Sequence, residues 1–320
     1  SSKRNRIIVL DKPVGRDAYN RQSGSLIAKL LNKQIISTPT RRGFPMQIRR
    51  VVAATAAVTI AATSLVACSS DSDDSKAIKV GTTDDAKKAW VAFEQEAKNA
   101  GYDIDIQPFA DYNTPNQALD QGELDTNNFQ HLKFLAEYNH GNGTNLVPIV
   151  ATEIVPLALF WKDHDSLDGI EGEKVAIPND STNQARAINV LVQAGLLTLK
   201  DKDNLEPTPL DIDEKKSKVK VTPVDAAQTT SAHGEGTPAI INNSFLERAG
   251  IDPATAIFQD DPNSEEAEPY INVFAVREED ADNEDIKKLA ELWHTDAVQE
   301  GVDEDSAGTS VQVERSQKLS

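Results

Sequence analysis

An almost unbroken run of Val, Ala, Ile and Thr, from Val51 to Ala62, ends a few positions before the only cysteine of the chain, Cys68. Arg49 and Arg50 precede the run, and Leu65, Val66 and Ala67 lead into the cysteine. Beyond it the chain turns to Ser69, Ser70, Asp71, Ser72, Asp73, Asp74 and Ser75. A basic start, a short apolar centre and small residues at the cut are the three parts of a secretory signal peptide. A membrane-spanning helix needs about 20 consecutive apolar residues, and this stretch falls short of that with Ser and Thr inside it. A buried core helix is the other reading, but the polar stretch that follows directly argues against it. The fold must therefore be sought after Cys68, with residues 46–67 as the signal and 68–76 as a solvated tether.

The ending Leu65, Val66, Ala67, Cys68 resembles the lipobox of bacterial lipoproteins. That resemblance implies a Cys68 carrying lipid, palmitate included, as the mature N-terminus, and a protein held on the extracytoplasmic face of the cell membrane. Met46 is the only methionine, three residues before the arginine pair, and is expected to be the start of translation. Residues 1–45 are then an upstream extension outside the functional protein. A longer basic leader is the alternative, with Arg41 and Arg42 faintly like a twin-arginine signal.

Charge supports the same division. Residues 1–67 carry 12 Lys and Arg against 2 Asp and Glu, whereas the remaining residues carry 21 against 49. So acidic a body repels nucleic acid and anionic membrane surfaces, so neither is an expected partner of the folded part. A single cysteine allows no disulfide within the chain and no multi-thiolate metal site.

Strand and helix signals alternate along residues 77–320. Ala77 to Gly81 reads as a strand, Thr83 as the N-cap of a helix, and Ala86, Trp90, Phe93 and Ala97 as its inner face. Tyr102 to Ile106, Lys174 to Pro178, Lys218 to Val221, Ala239 to Ile241 and Tyr270 to Val276 read as further strands. A helix starts near Ser181, another follows Pro223, and a last one runs from Glu284 to about Gly301. This rhythm predicts an α/β fold with mostly parallel sheets flanked by helices.

Enzyme signatures are missing: there is no G-x-G-x-x-G, P-loop, G-x-S-x-G or H-E-x-x-H, and the five histidines lack metal-ligand spacing. Neither catalysis, a cofactor nor a metal is expected. Polar and aromatic residues instead gather where strands meet helices, the place where ligands bind in open α/β sheets. Arg186 stands in the first turn after the strand that ends at Pro178, where free N–H groups and a guanidinium favour an anion. A capped helix with Arg186 on the surface is the plainer reading of that stretch. Phe129, His131 and Phe134 form a second junction, with an aromatic pair in the core as the alternative. Asn242, after an apolar strand, forms a third.

Longer stretches carry a family likeness. They are Val80 to Thr82, Asp111 to Leu119, Gly122 to Asp125 with Phe129 to His131, Ala176 to Ala187, Ala239 to Asn243 and Pro269 to Val273. In this order they resemble the substrate-binding lipoproteins of methionine ABC importers, the NlpA or MetQ family. The resemblance implies a two-lobed periplasmic-binding-protein fold with two crossing hinge segments. One lobe would be residues 77–160 plus 265–320, the other 161–264. It further implies a ligand carboxylate held by Arg186 and Asn183, ligand backbone groups bound by Asn242, and a side chain enclosed by Tyr112, Phe129, His131 and Phe134. Implied partners are L-methionine or a related amino acid or peptide, and an ABC permease with its ATPase. D-methionine and a methionine-containing dipeptide stay open as ligands, because Phe134, Asn128, Lys133 and the Ser231–Pro238 loop depart from the family's usual pattern. A surface antigen or adhesin of the same fold, without transport, is the alternative function.

Overall fold

The computed structural model describes residues 8–9 and 77–314. The signal peptide, Cys68, the tether and almost all of the upstream extension lie outside the described residues. Among those described, no helix is long and apolar enough to cross a membrane.

The first half of the chain runs β2 (Ile78–Thr82), α1 (Lys88–Asn99), β3 (Ile104–Pro108), α2 (Pro115–Asp120), β4 (Thr126–His131), α3 (Leu132–Asn142) and β5 (Val147–Ile154). It continues with β6 (Ala158–Phe160), β7 (Lys174–Pro178), α4 (Ser181–Gln193), β8 (Lys220–Val224), α5 (Thr229–Gly234), β9 (Ala239–Ile241), α6 (Leu246–Ala249) and β10 (Phe258–Gln259). The chain closes with β11 (Ile271–Val276), α7 (Glu284–Glu291), α8 (Asp296–Asp305) and β12 (Val311–Glu314), and the two-residue strand β1 (Ile8–Val9) precedes them all.

These strands form two sheets, of order β1-β12-β5-β11-β4-β2-β3 and β10-β6-β9-β7-β8. The α/β class is as expected, but the sheets are mixed rather than mostly parallel. Each has a parallel part built by strand–helix–strand units, β3-β2-β4 and β8-β7-β9. Antiparallel neighbours come from the strands that carry the chain from one sheet to the other and back: β5 against β11, and β6 against β9 and β10. The crossings are residues 155–157 and 260–270, because Ala158–Phe160 already pairs in the smaller sheet.

The larger sheet is packed by a cluster of rings. Trp90 and Phe93 of α1 meet Phe274 of β11 and Trp293, with centroids 4.9–6.4 Å apart. Such edge-on pairs add to the apolar area these side chains bury. The helix bearing the first two starts later than its sequence suggests. Asp84 turns inward to accept the Trp90 indole N–H at 2.8 Å and the Thr82 hydroxyl at 2.7 Å, so Thr83 caps nothing and Ala86 is exposed. Ala89 takes the inward position instead. The free amides of Lys88 and Ala89 donate to the Asp305 carboxylate at 3.1 and 2.9 Å, so an acid on a distant helix closes this helix end.

The last helical stretch is interrupted as well. A 3-10 turn at Leu292–His294 and an extended Thr295 restart it as α8, while His294 Nε2 contacts the Ala151 carbonyl at 2.8 Å. The restart lets α8 cross α1 at Gly301, where an added Cβ would lie 2.6 Å from the Ala89 backbone nitrogen. Backbone cannot yield as a side chain tip can. Gly301→Ala is therefore expected to destabilise the protein by roughly 1–3 kcal/mol, read by urea unfolding. An unchanged midpoint would show that the two helices can part freely.

Candidate functional site

The seven residues singled out in the sequence, Tyr112, Phe129, His131, Phe134, Asn183, Arg186 and Asn242, line one cavity of about 70 Å³ between the two sheets. That is several times the space one water needs, and suits a small molecule rather than a polymer. The larger sheet supplies Phe129 and His131 from the end of β4 and Phe134 from the start of α3. The smaller sheet supplies Asn183 and Arg186 from α4 and Asn242 from just after β9.

Arg186 lies on the second turn of α4, not the first, and it is buried rather than on the surface. The helix end itself is occupied: the Asp180 carboxylate accepts the Asn183 backbone N–H at 2.9 Å. An anion must therefore be met by the guanidinium, not by the helix terminus. That guanidinium is held by both crossings. Nε donates to Asp260 at 2.7 Å, Nη2 donates to the Val155 carbonyl at 2.9 Å, and the plane lies 4.1 Å from the Tyr270 ring centre. Asp260 in turn accepts the Leu157 N–H at 2.8 Å. The other terminal nitrogen, Nη1, takes part in none of these bonds. A guanidinium so braced presents one fixed pair of donors.

A chain of amides adjoins it. Asn183 Oδ1 accepts from Asn242 Nδ2 at 3.1 Å and lies 3.3 Å from His131 Nε2, while Asn183 Nδ2 donates to Asp180 at 3.0 Å. His131 Nδ1 accepts the Phe134 N–H at 3.1 Å, so the ring proton sits on Nε2 and points to Asn183. Burial, with the Arg186 charge adding to it, pulls the His131 pKa down to about 3, so the ring is neutral at physiological pH. Asn242 Oδ1 is buried and has no hydrogen-bond partner among the described residues. It is an acceptor that only something inside the cavity can satisfy.

The remaining wall is aromatic. Tyr112 lies 5.8 Å from both Phe129 and Phe134 and 4.8 Å from Phe245, and Phe129 and Phe134 are 5.9 Å apart. Burial raises the Tyr112 pKa, and its hydroxyl is bonded to Ser244. Around the rim, polar pairs join the two halves: Asn113 with Asp225 at 3.1 Å, Lys133 with Glu206, Lys87 with Asn243, and Arg248 with the Thr83 carbonyl.

Other lining residues had not been marked as site residues in the sequence, among them the polar Asp84, Lys87, Glu153 and Asn272. Glu153 left a trace, a lone charge within the apolar run from Val150 to Leu159. Lys87 and Asp84 look like ordinary surface charges of a helix start, and only the fold turns them inward.

The chain's similarity to known proteins runs over this whole region. The family model for the NlpA lipoprotein matches residues 78–313. The chain belongs to the NlpA lipoprotein family. A curated relative, the D-methionine-binding lipoprotein MetQ of Salmonella typhi, is 34% identical over 258 residues, which is 79% of this chain and 94% of that protein. Among solved structures, protein PG110 from Staphylococcus aureus is 37% identical with a TM-score of 0.69, covering 74% of this chain and 94% of its own. A nutrient-binding protein from Burkholderia cenocepacia, bound to methionine, is 33% identical with a TM-score of 0.66, covering 73% and 99%. The NlpA match thus spans both sheets apart from β1 and the last residue of β12, both crossings and every residue of the cavity wall.

Proposed function

We propose that this protein is the substrate-binding lipoprotein of an ABC importer, taking methionine or a close relative between two lobes and passing it to a permease and its ATPase. The observation that carries the reading is the content of one cavity. It holds a braced guanidinium, an unsatisfied buried amide oxygen and a wall of aromatic edges. A free amino acid has a carboxylate, an ammonium and a side chain, and each meets a suitable group here. The carboxylate goes to Arg186 with Asn183, and the backbone nitrogen to Asn242. The side chain goes among Tyr112, Phe129, His131 and Phe134, where a thioether gains about 0.3–1.5 kcal/mol per aromatic contact. The relatives described as methionine-binding give the same ligand.

The two sheets are the cores of the two lobes, with 155–157 and 260–270 as the hinge segments. The rim pairs hold the closed form. A ligand favours closure only through its greater affinity for it, and contacts from both lobes supply that difference. The likeness to lipoproteins supports lipid on Cys68 and a place on the extracytoplasmic face of the membrane. A mature chain that begins at Cys68 lacks Ile8–Val9 and has β12 as the sheet edge. Nothing in this cycle calls for catalysis or a cofactor.

The test is a thermal-shift series with L-methionine, D-methionine, methionine-containing dipeptides and amino acids without sulfur. Stabilisation by a methionine compound and not by alanine or glutamate is expected. Equal shifts for all, or none for any, would contradict the reading and favour a surface antigen of the same fold.

A further inference from the structure

Charge does not balance inside the cavity. Arg186 is paired with Asp260 at 2.7 Å, and Lys87 with Asp84 at 3.1 Å. His131 is neutral. Glu153, only 6% exposed, lines the same wall from β5 and has no such partner. Its carboxylate is held by neutral donors, the Trp293 indole at 2.7 Å and the Asn272 amide at 3.5 Å. Burial pushes its pKa up, as it must for an acid with no cation beside it. Lys87 acts on it at longer range and is itself bonded to Asn243, the neighbour of Asn242.

A buried carboxylate without a cation is costly to keep, and a cation brought into the cavity relieves that cost. Burial of the acid for packing alone is poorly served by this position, since the indole N–H of Trp293 needs only a neutral acceptor. On methionine, whose side chain is uncharged, only the ammonium supplies positive charge.

We infer that Glu153 is the charged partner of the ligand's ammonium, facing it from the larger-sheet lobe beside the neutral Asn242 oxygen, while Arg186 takes the carboxylate from the other lobe. This rests on the amino-acid reading above and adds to it the specificity: ligands must carry a free amine. The pole opposite Arg186 is then negative, so the site discriminates against acylated or deaminated relatives of the same shape.

The test compares the lipoprotein and its Glu153→Gln variant, by calorimetry, with L-methionine and with 4-(methylthio)butanoate, which is methionine without its amine. The parent protein is expected to prefer methionine by about 100-fold, the worth of one charge-assisted pair. In Glu153→Gln, which keeps an acceptor for Trp293, methionine should weaken by 10-fold or more. The butanoate should bind as before, so the preference collapses. A purely structural Glu153 would weaken both ligands alike and leave the preference intact, which overturns the inference. A parent protein that binds both within a few-fold also overturns it, whatever the variant does. If the parent binds neither, the methionine reading itself fails, and the inference with it.

Discussion

Arg186→Ala should abolish measurable methionine binding and at the same time lower the melting temperature of the free protein. The two effects have one origin. The guanidinium is buried between both crossings, bonded to Asp260 and to the Val155 carbonyl, so its loss strands a half-buried carboxylate at the hinge. Breaking one side of such a pair costs about 3–5 kcal/mol. The ligand then also loses the only guanidinium among the described residues of the cavity wall. Arg186→Lys should not rescue binding, because an ammonium cannot hold Asp260 and Val155 and still offer a fixed donor to a carboxylate. Wild-type affinity in either variant would mean that the ligand carboxylate lies elsewhere. The double variant Arg186→Leu with Asp260→Leu separates the effects: stability should largely return, and binding should not.

Asn242→Ala should act almost as strongly on binding and hardly at all on the fold. Its Oδ1 is a buried acceptor with no partner among the described residues, and its Nδ2 bonds Asn183 Oδ1 at 3.1 Å. Removing the side chain takes an unsatisfied atom out of the free protein, so its stability should stay level or rise slightly. In the complex it deletes a hydrogen bond to a charged ligand group, worth about 1.5–3 kcal/mol, and loosens Asn183 beside it. Methionine should therefore bind about 10- to 100-fold more weakly, while urea unfolding of the free protein is unchanged. A large loss of stability without loss of affinity would reverse the assignment.

Local pattern was enough to foresee β2, β7, β9 and β11 and the inner face of α1 at Trp90, Phe93 and Ala97, because apolar periodicity decides them. It failed where a distant residue decides. Thr83 has the composition of an N-cap, yet Asp305, more than 200 positions away, closes that helix. The mixed sheets were also hidden, since strand direction in β5 and β11 follows from the chain crossing between halves rather than from composition. The site was legible as a set of strand ends and as a family likeness, and those residues do come together. Its electrostatics were not. Asp260 stands in an acidic stretch that resembles any solvated loop, and only its 2.7 Å pairing with Arg186 sets it apart. Glu153 interrupts the apolar run from Val150 to Leu159, a signal that the sequence reading did not use.

The protein's proposed task is capture of a methionine-type amino acid between the two sheets. Calorimetric titration of ligand-stripped protein with L-methionine, followed by D-methionine and a methionine dipeptide, tests it most directly. Saturable one-to-one binding of at least one of these is expected, lost in Arg186→Ala and weakened in Asn242→Ala. No heat with any of them from a folded, ligand-stripped protein, or equal binding in all three proteins, would contradict it.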